Sequence, residues 1–212
     1  MTTNILLLPK FSATSTFTIV LNSDWLDTIE FTQSGYPNVP VTLSGCSITS
    51  GQNAVAVSST AGLVPGQTIA GAAGIPSGAF VGAITSATQF NMVNASGSAL
   101  NATETDAEAT LTFSPPPLDI TGIDFICQVR QSTNGVIGTQ VFISAQTADQ
   151  SFTNGGATGV LAFNVTQSTL KNSALTPGIY VMDIVAEADG HTINLFPQGP
   201  ATLTVLGGVT TP

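Results

Sequence analysis

Apolar and polar positions alternate with a period of two along much of the chain, the pattern of strands buried on one face. Phe17, Ile19 and Leu21 alternate with Thr16 and Thr18, and Ile29 and Phe31 repeat the pattern after an Asn22-Ser23-Asp24 turn. Residues 39–43 predict a third short strand. Pro40 confines it to a sheet edge or a strand start, because proline cannot donate to a ladder. Further on, Ile123, Phe125, Cys127 and Val129 share one face of a strand, with Asp124, Gln128 and Arg130 on the other. Val141 and Ile143 mark the next strand, followed by 160–165, 179–187, 192–196 and 201–206. Asp189-Gly190 is a hairpin-turn dipeptide, and 166–172 predicts a short helical turn. No window sustains a 3.6-residue period, so the pattern predicts an all-β fold.

The stretch 44–113 differs from its flanks. It is rich in Ala, Gly, Ser and Thr, and it contains no Lys, Arg, His, Trp or Tyr. Its predicted strands are shorter, at 54–57, 67–70, 80–84, 90–93 and 109–113. Ser114-Pro115-Pro116-Pro117 then reads as a stiff linker, since polyproline extends without internal hydrogen bonds. The expected organisation is a discontinuous outer β-domain, 1–43 and 114–212, carrying a small inserted β-domain at 44–113.

Charge narrows the function. The chain of 212 residues has 3 Lys+Arg against 12 Asp+Glu, a net charge of -9, and only 7% charged residues. Ordinary globular chains have roughly 25%. So few cations cannot neutralise many phosphates, which excludes nucleic acid as a partner and argues against docking on anionic membranes. No apolar run approaches the roughly 18 residues of a membrane span. The N-terminus lacks a basic region, and its apolar run Ile5-Leu6-Leu7-Leu8 stops at Pro9, so synthesis and folding in a cytoplasm are expected. Two cysteines, Cys46 and Cys127, cannot form a dense disulfide framework and are expected as free, buried thiols.

Candidate chemistry is sparse. His191 is the sole histidine and follows the Asp189-Gly190 turn, which predicts a solvated hairpin residue. No Gly-x-Ser-x-Gly elbow exists to present a serine to it. Glu104, Asp106 and Glu108 alternate, and would share one face if extended. The Asp-x-Asp-x-Asp-Gly calcium loop is absent, so a solvated acidic loop is expected. Nothing selects a glycosidase pair among the acids. The sequons at Asn94, Asn101 and Asn164 read as chance matches in a Ser/Thr-rich chain. Neither catalytic residues, nor a metal, nor a cofactor is expected. Three residues stand out as candidate partner contacts. Arg130 either pairs with an acid across strands or reaches another protein. Trp25 and Tyr36 flank the second strand, and either form a sugar-stacking or interface patch or pack at a sheet end.

Two sets of segments resemble tailed-phage proteins. Leu118-Asp119-Ile120-Thr121-Gly122, leading to a strand ending Gln128-Val129-Arg130, is similar to a turn and strand of the Ig-like module of phage upper-baseplate and related tail proteins. Leu175-Thr176-Pro177-Gly178-Ile179-Tyr180 and the segment from Gly199 through Val205 to Val209-Thr210 resemble later parts of that module. In 44–113, Gly62-Leu63-Val64-Pro65-Gly66 and Gly74-Ile75-Pro76-Ser77-Gly78 resemble a small β-repeat of phage tail and head-surface proteins. The resemblance implies an Ig-like β-sandwich with a small inserted β-domain. It also implies a non-enzymatic structural component of a virion, in the tail or baseplate or as a capsid decoration. Its partners would be other virion structural proteins and copies of itself, and its location the virion after synthesis in the host cytoplasm. Full upper-baseplate proteins continue into coiled-coil and receptor-binding regions, so the position on the particle stays open. The alternative is a cell-surface or glycan-binding adhesin module.

Overall fold

The computed structural model describes residues 16–33, 35–37, 39–133, 135–196 and 199–208. Lys10, the start of the expected outer domain at 1–15, and Val209-Thr210 lie outside the described residues. In chain order the first eight strands are β1 (Thr16–Val20), β2 (Thr28–Glu30), β3 (Val41–Ile48), β4 (Ala54–Ala56), β5 (Thr68–Ala70), β6 (Phe80–Ser86), β7 (Gln89–Val93) and β8 (Asp106–Ser114). The remainder are β9 (Asp124–Thr133), β10 (Val136–Gln146), β11 (Phe152–Asn154), β12 (Val160–Phe163), β13 (Gly178–Ala188), β14 (His191–Asn194) and β15 (Ala201–Leu206). Strands and isolated β-bridges hold 52% of the described residues, so the fold is all-β. Among the described residues no helix is long and apolar enough to cross a membrane. Contacts divide the chain into two compact units, Met1–Thr32 with Pro117–Pro212, and Gln33–Pro116.

The first unit has two sheets. The larger runs β1-β15-β13-β9-β10, with β14 also paired to β13; the smaller runs β11-β12-β2. β1 lies parallel to β15, and the other ladders are antiparallel. Alternation aims Phe125, Cys127 and Val129 of β9 and Met182 and Ile184 of β13 into one core with Leu161 and Phe163 of β12. Phe163 is a hub, its ring centroid 4.6 Å from Trp25 and 4.6 Å from Phe152. Each such large apolar side chain contributes roughly 1.5–3 kcal/mol by leaving water. The short helix α1 (Gln167–Asn172) starts where expected, because the Thr166 hydroxyl caps it, accepting from the Thr169 N–H at 3.3 Å. The Asp189-Gly190 turn also forms as expected. Both residues have positive φ, 50° and 77°, as a two-residue hairpin turn between β13 and β14 requires.

The second unit is a closed six-stranded barrel, β3-β4-β7-β6-β5-β8. Its core holds Ile48, Val55, Ile69, Val81, Met92 and Leu111 around Phe90 and Phe113, which meet edge to face at 5.6 Å. Small residues let the barrel close tightly. Gly71 sits at φ +120°, and a Cβ there would strike the Thr110 carbonyl.

The division falls earlier than the boundary expected at 43/44. Val41, Thr42 and Leu43 pair with Phe113, Thr112 and Leu111, which makes them barrel wall rather than the third strand of the outer domain. The alternation in 39–43 identifies a strand but carries no information about its partner. β3 then continues through an irregularity between Leu43 and Cys46, where Gly45 adopts φ +69°. Pro115-Pro116-Pro117 spans the second crossing between units, and the Pro116 carbonyl accepts from the Gln33 N–H at 3.0 Å, tying together the two ends of the barrel unit.

Candidate functional site

Arg130 stands on the outward face of the six-stranded sheet. β9 is flanked by β13 and β10, and the register sets Arg130 opposite Val181 on one side and Val141 on the other. Gln128, two residues back on the same face, lies opposite Asp183. Gln128, Arg130, Val181 and Asp183, together with Ile137 and Pro200, line a recess of about 190 Å³. Arg130 Nη2 donates to Gln128 Oε1 at 2.6 Å, so a neutral amide in its own strand holds the guanidinium, rather than an acid on a neighbouring strand. Asp183 Oδ2 accepts from Asn194 Nδ2 at 2.8 Å, while its Oδ1 is buried with no hydrogen-bond partner. Arg130 thus retains unused donors, and Asp183 an unused acceptor, in one recess.

Apolar side chains surround this polar centre. Ile137 pairs with Ser132 and Ile179 with Thr204, both on the outward face. Ile179 is 72% exposed, and Ile137, Val141 and Leu206 are exposed as well. Directly beneath, on the inner face, lies Cys127. Burial pushes its thiol far above the ordinary thiol range, and the Asp183 charge pushes it the same way. Cys46, in the barrel, is also free and buried, with its thiol raised by burial.

Trp25 does not join that surface. It is 3% exposed and stacked on Phe163, with a backbone bridge to Val165, so it has no ring face to offer a partner. Of the two alternatives for Trp25, an interface patch or packing at a sheet end, its burial matches packing, with Nε1 buried and no hydrogen-bond partner among the described residues. Tyr36 belongs to the barrel unit and is half-buried, lining a groove there. Within the first unit, Trp25 points into the core and Arg130 stands on the outward sheet face, so these two do not form one patch.

The remaining candidates fall on solvated ground. His191 is exposed at the start of β14, in a shallow polar recess of about 310 Å³ beside Asp124, Glu187 and Asp189. Asp106 and Glu108 are exposed at the start of β8 rather than in a loop, and Asp106 Oδ1 accepts from the Glu108 N–H at 2.9 Å. Among the described residues no three His, Cys, Asp or Glu side chains gather to hold a metal. Asn94 Oδ1 accepts from Ser96 N, Ser96 Oγ and Ser98 N, closing its own turn.

Two of the segments that resemble phage sequences contain turns held by local hydrogen bonds. Asp119 Oδ1 accepts from the Thr121 N–H at 2.9 Å, and Gly122 turns the chain at φ +76°. The Tyr180 hydroxyl folds back to donate to the Thr176 carbonyl at 3.1 Å and to accept from its N–H at 3.2 Å. Sequence reasoning missed Asp183 as Arg130's neighbour, because only the β9/β13 register brings them together. It also missed Asn53 and Asn91 of the groove, which carry no motif. No family model matches the chain, and no curated protein matches it.

Proposed function

We propose that this chain is a non-enzymatic structural component of a tailed-phage virion, acting by protein–protein assembly through its first unit. The observation that carries the reading is the outward face of the six-stranded sheet, where Arg130 sits with unused donors among exposed Ile137, Val141 and Ile179. An arginine centred in an apolar surround is the composition of an interface hot spot. Exposed apolar side chains clustered on one sheet face mark an interaction surface. Among the described residues β10 also has an open ladder edge beside them.

We also infer that the first unit is an Ig-like sandwich. Its sheets, β2-β12-β11 against β10-β9-β13-β15, follow the strand grouping of that fold. Tyr180, near the start of β13 with its hydroxyl bonded to backbone four residues upstream, matches the tyrosine corner of Ig-like domains. In that reading the barrel is inserted between the second and third strands of the sandwich. The phage assignment itself rests on the resemblance of 118–130 and 175–205 to upper-baseplate and tail modules.

The test is the composition of purified particles. Quantitative mass spectrometry of intact virions should find the chain at a fixed ratio to other structural proteins. Its absence would overturn the proposal. Arg130→Ala should leave the fold intact and abolish incorporation in a complementation assay. Undiminished incorporation would remove Arg130 from the interface.

A further inference from the structure

The barrel unit carries an open groove of about 840 Å³, within the size range of small-ligand sites, roughly 300–1,000 Å³. Tyr36, Asn53, Phe80, Asn91, Asn94 and Pro116 supply much of its lining, and none of its described lining residues is charged. The polar atoms are only partly used within the protein. Asn53 Nδ2 donates to the Met92 carbonyl at 3.4 Å, which leaves Oδ1 as an acceptor. Asn94 spends Oδ1 on its own turn, which leaves the Nδ2 donors. The Asn91 carboxamide and the Tyr36 hydroxyl have no side-chain hydrogen bond among the described residues, so each can both donate and accept. Tyr36 lies against bare backbone. Gly66 sits at φ +97° with its N–H bonded to the Val81 carbonyl at 2.7 Å, and a Cβ there would run into the tyrosine hydroxyl.

We propose that this groove binds a neutral glycan, with the Tyr36 ring against a sugar face and the carboxamides of Asn53, Asn91 and Asn94 on its hydroxyls. The lining chemistry selects this class. A phosphate, nucleotide or acidic sugar would find no cation in the groove. A lipid or other apolar ligand would bury carboxamides without partners, which costs about 1–3 kcal/mol for each unmet group. A peptide adding as a strand needs an open ladder edge, and closure of the barrel leaves none. Sugar hydroxyls donate and accept in close array, as carboxamides do, and the apolar faces of pyranose rings suit an amphipathic aromatic such as tyrosine. This inference does not depend on the virion assignment. Particle composition decides that reading, and a binding experiment on the isolated chain decides this one.

The experiment is saturation-transfer NMR and calorimetry on the full chain with maltohexaose, cellohexaose and chitohexaose, with oligogalacturonate as an acidic control. At least one neutral hexasaccharide should bind and the acidic control should not. Tyr36→Ala and Asn91→Ala should each weaken binding about tenfold or more, the equivalent of 1.4 kcal/mol. Tyr36→Phe should retain most of it, and Arg130→Ala, in the other unit, all of it. Should Tyr36→Ala fail to fold, Asn91→Ala and Tyr36→Phe carry the test. The proposal is overturned if none of the neutral sugars binds, if oligogalacturonate binds better, or if binding survives both alanine variants unchanged.

Discussion

Among the described residues, the six-stranded sheet of the first unit ends in two open ladders, β1 and β10, whereas the barrel joins β8 back to β3 and has no edge. The first unit holds Arg130 and Lys171 and the large aromatic cluster around Phe163. The barrel holds no cation, and its acids are confined to Glu104, Asp106 and Glu108. An open sheet can be extended or covered by another chain, and needs specific side chains to choose which one. A closed barrel gives up that route and presents only side chains and loops. In the proposals above, assembly falls to the open unit and small-ligand recognition to the closed one.

Breaking one core at a time is the severest test of that division. Phe113→Ala removes half of the Phe90–Phe113 pair and should cost roughly 3–5 kcal/mol. Scanning calorimetry should then show the barrel transition shifted down, with the transition of the first unit in place. A single merged transition displaced as a whole would mean that the two units unfold as one. Next in size is Gly71→Ala, which must place a Cβ against the Thr110 carbonyl at positive φ. A loss of roughly 1–3 kcal/mol, confined to the barrel, is expected. Tyr180→Phe deletes the hydroxyl that ties β13 to Thr176, and urea unfolding should show the first unit destabilised by about 1 kcal/mol.

The buried thiol gives a pH-dependent version of the same comparison. Because the folded pKa of Cys127 is raised, native protein holds its proton more tightly than the unfolded chain does. The contribution is therefore fully present below the ordinary thiol value of 9.0 and is lost as pH climbs above it. Thiol-reactive dye should leave Cys127 unlabelled in native protein at neutral pH, and label it only on unfolding. Rapid native labelling would contradict its placement under the sheet. The smallest stability effect belongs to Arg130→Ala, within about 0.5 kcal/mol, since its partner is a half-exposed glutamine on its own strand.

Much of this was legible in the chain because strand alternation and turn chemistry are local. The faces of β9, the Asp189-Gly190 hairpin and the Thr166-capped helix need only neighbouring residues to specify them. Pairing is not local. Nothing in Val41-Thr42-Leu43 says that Phe113, rather than a strand of the first unit, lies alongside, so the boundary was misplaced. The same gap separates residues from sites. Arg130 could be singled out as a rare cation, but Asp183 becomes its neighbour only through the β9/β13 register. Tyr36 could be singled out as an aromatic, while Asn53 and Asn91 join it only because β4 and β7 pair with Ala54 opposite Asn91. Trp25 shows the same limit: residue type left an interface patch and core packing both open, and only its stacking on Phe163 selects between them.

Cryo-electron microscopy of intact particles tests the assembly claim most directly. The account expects density for this chain at a symmetry-defined position, with Arg130, Ile137 and Ile179 buried against a neighbour and the barrel groove open to solvent. Particles that lack the chain, or that hold it with the outward sheet face bare, would contradict it.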